Sequence, residues 1–269
     1  MKRATMALLL AAGATLLLAS NAPAYGAPTM TITAEVPTST VEPTQTVVPT
    51  PTVDPSRSAW MKRYWGRRVH RVKTTQRVVA LTFDDGPNSR TGTAVRILDS
   101  YGAKGTFFAT GYQSKKPKMA AMNRYVLAQG HELANHTMNH DKLDKSYALS
   151  IKAIDRLEKL LIAQTGQGTT WVRAMGGAVD SQGLKATRKT GHLYAQWSLS
   201  IADSVRRYTP PNALYHNVVD HIRPGSVVLM HVTHPETLKA LPRICRELKR
   251  RGYRMVTLSE MAAMGNPYP

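Results

Sequence analysis

From residue 76 onward the chain alternates short apolar runs with longer amphipathic stretches, and this alternation limits the fold more than any other feature. Strand-like runs fall at 77–83, 104–110, 131–134, 170–174, 192–197, 226–230 and 253–257. Helix-like stretches fall at 92–101, 117–129, 146–164, 181–190, 209–222, 235–251 and 259–264. Strands that alternate with helices pair in parallel and carry the helices on the outside. The clearest helix is 146–164, where Ser146 is placed to cap and Ile151, Ile154, Leu157 and Leu161 form one apolar stripe. Helix 235–251 should end at Gly252, with Pro242 kinking or splitting it. The pattern is too regular for a sandwich. It predicts an α/β fold, a distorted, partial (β/α) barrel with mostly parallel strands, whose site lies at the C-terminal strand ends.

Residues with chemistry fall at those ends. The run Val78-Val79-Ala80-Leu81 leads through Thr82-Phe83 into Asp84-Asp85 and a Gly86-Pro87 stop. Adjacent residues on a strand point in different directions, so the two carboxylates can have different jobs. His136 and His140 follow the run 131–134, and a helical segment there would put both imidazoles on one face. With Asp85 they make a two-His, one-carboxylate set for one divalent ion. Zinc is the default for a hydrolase, while Co2+, Mn2+ or Fe2+ fit the same donors. Asp84 would then move a proton. Arg173 and His231 also follow strand-like runs.

The ends of the chain point outward from the cell. Lys2-Arg3, the apolar run Met6–Ala19 and Ala22-Pro23-Ala24 read as a signal peptide over 1–24. Left uncut, it would be a short membrane anchor. Residues 25–57 read as a Pro/Thr-rich linker and 58–75 as a basic arm leading into a catalytic domain over 76–269. The formal net charge is +19, and the charges of residues 1–57 cancel, so the excess lies beyond them. An exported cationic domain favours anionic cell-wall polymers, and export argues against a nucleic-acid partner. The single Cys245 excludes an intramolecular disulfide and reads as a small apolar helix residue.

The motifs resemble those of NodB-type polysaccharide deacetylases, carbohydrate esterase family 4, over roughly 76–262. Thr82-Phe83-Asp84-Asp85-Gly86-Pro87 is similar to the family's first motif, His136-Thr137-Met138-Asn139-His140 closes a segment similar to its second, and Leu229-Met230-His231 resembles its last. The resemblance implies a NodB-like partial barrel and a metal on Asp85, His136 and His140. It implies Asp84 as general base, the Gly176 N–H as oxyanion donor and His231 as general acid.

Two motifs depart from the family's pattern. Arg173-Ala174-Met175-Gly176-Gly177 keeps the arginine, placed for a bidentate contact with Asp84, but loses a proline and an aromatic. In 197–204 only Asp203 survives of the residues that resemblance would place there; the family uses an Asp of this region to orient its acid histidine. The core machinery is therefore expected intact and the groove more open. The expected protein is an exported, metal-dependent N-deacetylase of a cell-wall glycan, peptidoglycan first, secreted or wall-associated. The alternatives are an O-acetyl esterase of xylan type and a catalytically weak glycan-binding module.

Overall fold

The computed structural model describes residues 59–206 and 208–268. The expected signal peptide and linker lie outside these residues. In chain order the strands and helices are β1 (Arg68–Val69), β2 (Val72–Lys73), β3 (Val78–Gly86), α1 (Thr91–Ser100), β4 (Gly105–Ala109), α2 (Gly111–Ser114), α3 (Met119–Ala128), β5 (Glu132–Asn135), α4 (Tyr147–Thr165), β6 (Trp171–Val172), α5 (Ser181–Lys189), β7 (Leu193–Ala195), β8 (Leu199–Ser200), α6 (Pro211–Val219), β9 (Val227–His231), α7 (Pro235–Arg250), β10 (Arg254–Met255), α8 (Leu258–Ala263) and β11 (Asn266–Pro267).

Nine strands make one sheet, ordered β1-β7-β6-β5-β4-β3-β9-β8, with β10 beside the start of β3. Every pairing in it is parallel. The end strands β1 and β8 do not pair with each other, so the sheet is a curled half-barrel. The expected mostly parallel α/β fold is what forms.

The two-residue period of the strands divides the core and places the site. On β3, Val79, Leu81 and Phe83 pack with Leu98, Ile244 and Leu248 under the helices. The alternate residues Val78 and Ala80 join an inner cluster with Tyr64, Phe108, Ala134, Trp171 and Val227. Two residues further on, the same inner side carries Thr82 and Asp84; by the same alternation it carries His136 beyond Ala134, Arg173 beyond Trp171, and Leu229 and His231 beyond Val227. The inner face is apolar at the N-terminal ends of the strands and polar at their C-terminal ends.

Three local expectations are corrected. The stretch read as a basic arm is part of the fold: Met61, Tyr64, Val69 and Val72 are buried in the inner cluster, and the Tyr64 hydroxyl donates to the Ala262 carbonyl at 2.9 Å. Helix α7 runs unbroken through Pro242, because its apolar stripe of Ala240, Leu241, Ile244, Cys245 and Leu248 is anchored on both sides of the proline. Ser146 occupies the N-cap of α4 but its side chain makes no capping bond, and Ile151 is only half-buried where Ser150 and Ala153 complete the stripe.

Candidate active site

Asp84 and Asp85 face the same site, which a regular strand does not allow. The pairing of β3 with β4 shifts register between Phe83 and Gly86, and Asp85 has φ 68°. This bulge cancels the alternation and re-aims Asp85. Asp84 Oδ2 and Asp85 Oδ1 lie 3.5 and 3.6 Å from the same atom, His136 Nε2.

The two histidines also converge differently from expectation. Residues 136–140 form a turn after β5, with left-handed backbone at Thr137 (φ 64°) and His140 (φ 58°). A threonine held at positive φ stores strain, and the surroundings enforce it. The Thr137 N–H donates to Asn135 Oδ1 at 2.9 Å, and its carbonyl accepts from the Gly111 N–H at 3.1 Å. Gly111 is needed for this approach, since a Cβ there would lie 2.3 Å from Met138 Sδ and 2.5 Å from the Met138 carbonyl oxygen.

Asp85, His136 and His140 offer donor atoms all within 4.8 Å of one another. His136 Nδ1 donates to the Arg173 carbonyl at 2.7 Å, which leaves the Nε2 lone pair facing the site. Burial, then the neighbouring His136, push His140 below the ordinary imidazole range against the pull of Asp85 and Asp84, so its ring is neutral at pH 7. Asp85 Oδ1 is buried without a hydrogen-bond partner among the described residues, 3.4 Å from His140 Nε2. An unpartnered buried carboxylate oxygen facing two imidazole nitrogens calls for a cation. Metal–ligand bonds of about 2.0–2.2 Å set tetrahedral donors roughly 3.3–3.6 Å apart, so the residues present fit one ion.

Arg173 is fully buried and ties the site together. Its Nη1 donates to Asp84 Oδ1 at 2.8 Å and to Thr82 Oγ1 at 2.9 Å, and its Nη2 donates to the Gln196 carbonyl at 3.0 Å. The expected bidentate contact is thus a single bond to the carboxylate, with the other Nη bonds going to β3 and the loop after β7, while Nε has no partner among the described residues. The guanidinium also lies 4.0 Å from the Phe108 ring centroid. Burial alone would raise the Asp84 pKa, but Arg173, His136 and His231 outweigh it and hold the carboxyl below the usual carboxylate value. Asp84 is therefore ionised at neutral pH.

His231 pairs in register with Asp84 across β9 and β3. Its Nδ1 bonds Asp203 Oδ1 at 2.8 Å, and its backbone N–H donates to Asp203 Oδ2 at 2.8 Å. Thr237, which the sequence did not single out, donates its hydroxyl to the same Oδ2 at 2.7 Å. Burial would lower the His231 pKa, but the Asp203 hydrogen bond and the charges of Asp84, Asp203 and Asp85 raise it above the ordinary histidine value. Asp203 follows Ala202, another left-handed residue (φ 64°).

Gly176 has φ 58° in the short 3-10 turn Met175–Gly177. The N–H groups of Met175, Gly177 and Ala178 donate to backbone carbonyls, and among the described residues the Gly176 N–H has no acceptor. Met175 N–H donates to the Asp141 carbonyl at 3.1 Å, so this turn docks on the histidine loop.

Two of the remaining histidines, His131 and His192, serve structure. His131 accepts from the Gly105 N–H at 3.0 Å, and burial drives its pKa down to about 4. His192 lies 3.1 Å from Glu158. Cys245 is buried within α7 and its thiol is pushed up to about 12 by burial, so it is unreactive.

A family model described as polysaccharide deacetylase matches residues 71–195. A peptidoglycan-N-acetylglucosamine deacetylase of Bacillus cereus is 31% identical over 202 residues, covering 71% of this chain and 90% of that protein. The chain belongs to the polysaccharide deacetylase family. A bifunctional xylanase/deacetylase of Pseudobutyrivibrio xylanivorans is 30% identical over 200 residues, 72% of this chain but 32% of that longer protein. Among solved structures, the Bc1960 peptidoglycan N-acetylglucosamine deacetylase superposes with a TM-score of 0.69 at 26% identity, covering 78% of this chain and 99% of that one. A family pseudoenzyme from Bacillus anthracis superposes equally well, TM-score 0.69, at 22% identity over 74% of this chain and 70% of that one, which shows the shared fold alone.

Proposed function

We propose that this family member is a divalent-metal N-deacetylase of a cell-wall glycan, with peptidoglycan as substrate and zinc as the default metal. The observation that supports this most is the convergence of Asp84, Asp85, His136, His140 and His231 with a buried, unpartnered Asp85 Oδ1. Asp85, His136 and His140 would hold the metal, which supplies positive charge to polarise the acetamide carbonyl. Asp84, ionised and restrained by Arg173, takes the proton of the attacking water. The Gly176 N–H, which has no acceptor among the described residues, would donate to the oxyanion of the tetrahedral intermediate. His231, kept protonated by Asp203, delivers a proton to the nitrogen as the C–N bond breaks. The products are acetate and a free glucosamine-type amine.

The built acid favours an amide over an ester. An amine leaves only when protonated, whereas an alkoxide needs less help, so the His231–Asp203–Thr237 arrangement supports N- over O-deacetylation. The complete residue set argues against a binding-only module. The reading includes export to the wall, based on the N-terminal sequence and the +19 charge.

The test is acetate release from purified peptidoglycan with added zinc, with chelator, and with Asp84→Asn. Release that requires both metal and Asp84 is expected. Stoichiometric metal with no release from any acetylated glycan would overturn the enzymatic reading.

A further inference from the structure

Next to the metal-type residues lies a cavity of about 550 Å³, a size typical of small-ligand sites. His140 and Met175 form part of its wall, so it borders one residue of the metal-type set and the turn that carries Gly176. Its rim carries Lys142, Lys145, Lys152 and Arg156. Lys152 and Arg156 are one turn apart on α4, and the two other lysines stand on the loop that leads into it.

These cations are unspent. Among the described residues none of the four has an ion-pair or hydrogen-bond partner, whereas other cations of this domain do: Lys104 binds Asp99, and Arg250 and Arg251 bind Glu247. The one carboxylate in the cavity lining, Asp141, accepts the Asn139 N–H at 3.0 Å and so is engaged in its own loop. The first turn of α4 adds to the positive field, for it has no acidic residue and Ser146 does not cap it. Four free cations around one cavity repel each other unless an anion joins them.

We propose that this cavity is an anion subsite that seats a carboxylate carried by the glycan next to the sugar being deacetylated. It rests on the deacetylase reading for the identity of the glycan, and it makes the enzyme selective for carboxylate-bearing strands over neutral N-acetylglucosamine polymers. The carboxylate has two sources on such a strand, the lactyl ether of the neighbouring sugar or its attached peptide.

The test compares three substrates of equal sugar length: a neutral N-acetylglucosamine oligomer, a peptidoglycan strand stripped of peptides, and the same strand with peptides. The full chain is compared with Lys152→Ala/Arg156→Ala and with the conservative Lys152→Arg. Two exposed ion contacts removed together raise KM on carboxylate-bearing strands about three- to tenfold, with kcat and the neutral oligomer's KM unchanged. Lys152→Arg retains the low KM, and added salt erases the preference. A preference already present on the stripped strand assigns the lactyl carboxylate; one that needs peptides assigns theirs. An equal change on the neutral oligomer, or no change on any substrate, overturns the proposal. Binding of fluorescently labelled strands to Asp84→Asn protein, with and without the double substitution, separates the two readings. Charge-dependent preference in binding without acetate release from the parent keeps the subsite and removes the deacetylase; charge-independent binding removes the subsite.

Discussion

Replacing Asp203 with asparagine keeps the side chain's shape and removes its charge. Asp203 Oδ2 accepts the His231 backbone N–H at 2.8 Å, a donor that cannot reverse its role, and the Thr237 hydroxyl at 2.7 Å. The asparagine carbonyl oxygen will take that position, which turns its NH2 toward His231 Nδ1. A donor then faces a donor, and the imidazolium is disfavoured. The hydrogen bond lost is charge-assisted and largely buried, worth about 1.5–3 kcal/mol. That corresponds to about one to two orders of magnitude in the protonated fraction of His231 at any pH above its titration. The sign follows from the direction of the shift. The wild-type pKa is raised, so the acid form persists above the ordinary histidine value and activity falls only at higher pH. In Asp203→Asn the alkaline limb of kcat/KM moves to lower pH, while activity at the acid end approaches wild type. Acetate release measured across pH, together with an NMR titration of His231, tests this. A profile lowered uniformly with its shape unchanged would refute the reasoning, because it would mean that Asp203 affects position only.

Other perturbations separate the roles of the remaining groups. Arg173→Met strands the buried Asp84 carboxylate and is expected to cost about 3–5 kcal/mol in denaturant unfolding; unchanged stability would contradict the view that Asp84 depends on it. Asp85→Ala and His140→Ala should each abolish stoichiometric zinc binding in equilibrium dialysis while the protein stays folded, since both residues are only half-buried whereas His136 is buried. Gly111→Ala forces the Met138 loop to move and is expected to destabilise by about 1–3 kcal/mol and weaken metal affinity together; loss of stability alone would show that the loop adapts without disturbing the histidines. Cys245 should resist thiol reagents in the folded protein and react on unfolding, which mass spectrometry can follow.

Much of the architecture was legible because it is written in period and punctuation. The strand run around 77–83, the helix 146–164 and the end of α7 at Gly252 each appear within a few residues of their place. The short strands β1, β2, β8 and β11 were not legible, since each is two residues long and exists only through its partner. Pro242 misled for a similar reason: a local rule gave way to packing on both its sides.

The same division holds at the site. The sequence alone marked the residues that converge, because an Asp pair, two histidines and a later histidine at strand ends are types and spacings that need no coordinates to be seen. It also determined their common end of the sheet, since parallel strands share direction. Only the tertiary structure decided how they meet. A bulge turns Asp85 against the alternation, a strained turn rather than a helix aims His140, and Arg173 bonds Asp84 once and also bonds Thr82 and Gln196. Thr237 reaches Asp203 from 34 residues away in sequence. Left-handed backbone costs free energy locally, and both it and the long-range hydrogen bonds depend on the packed whole, so no local pattern announces them.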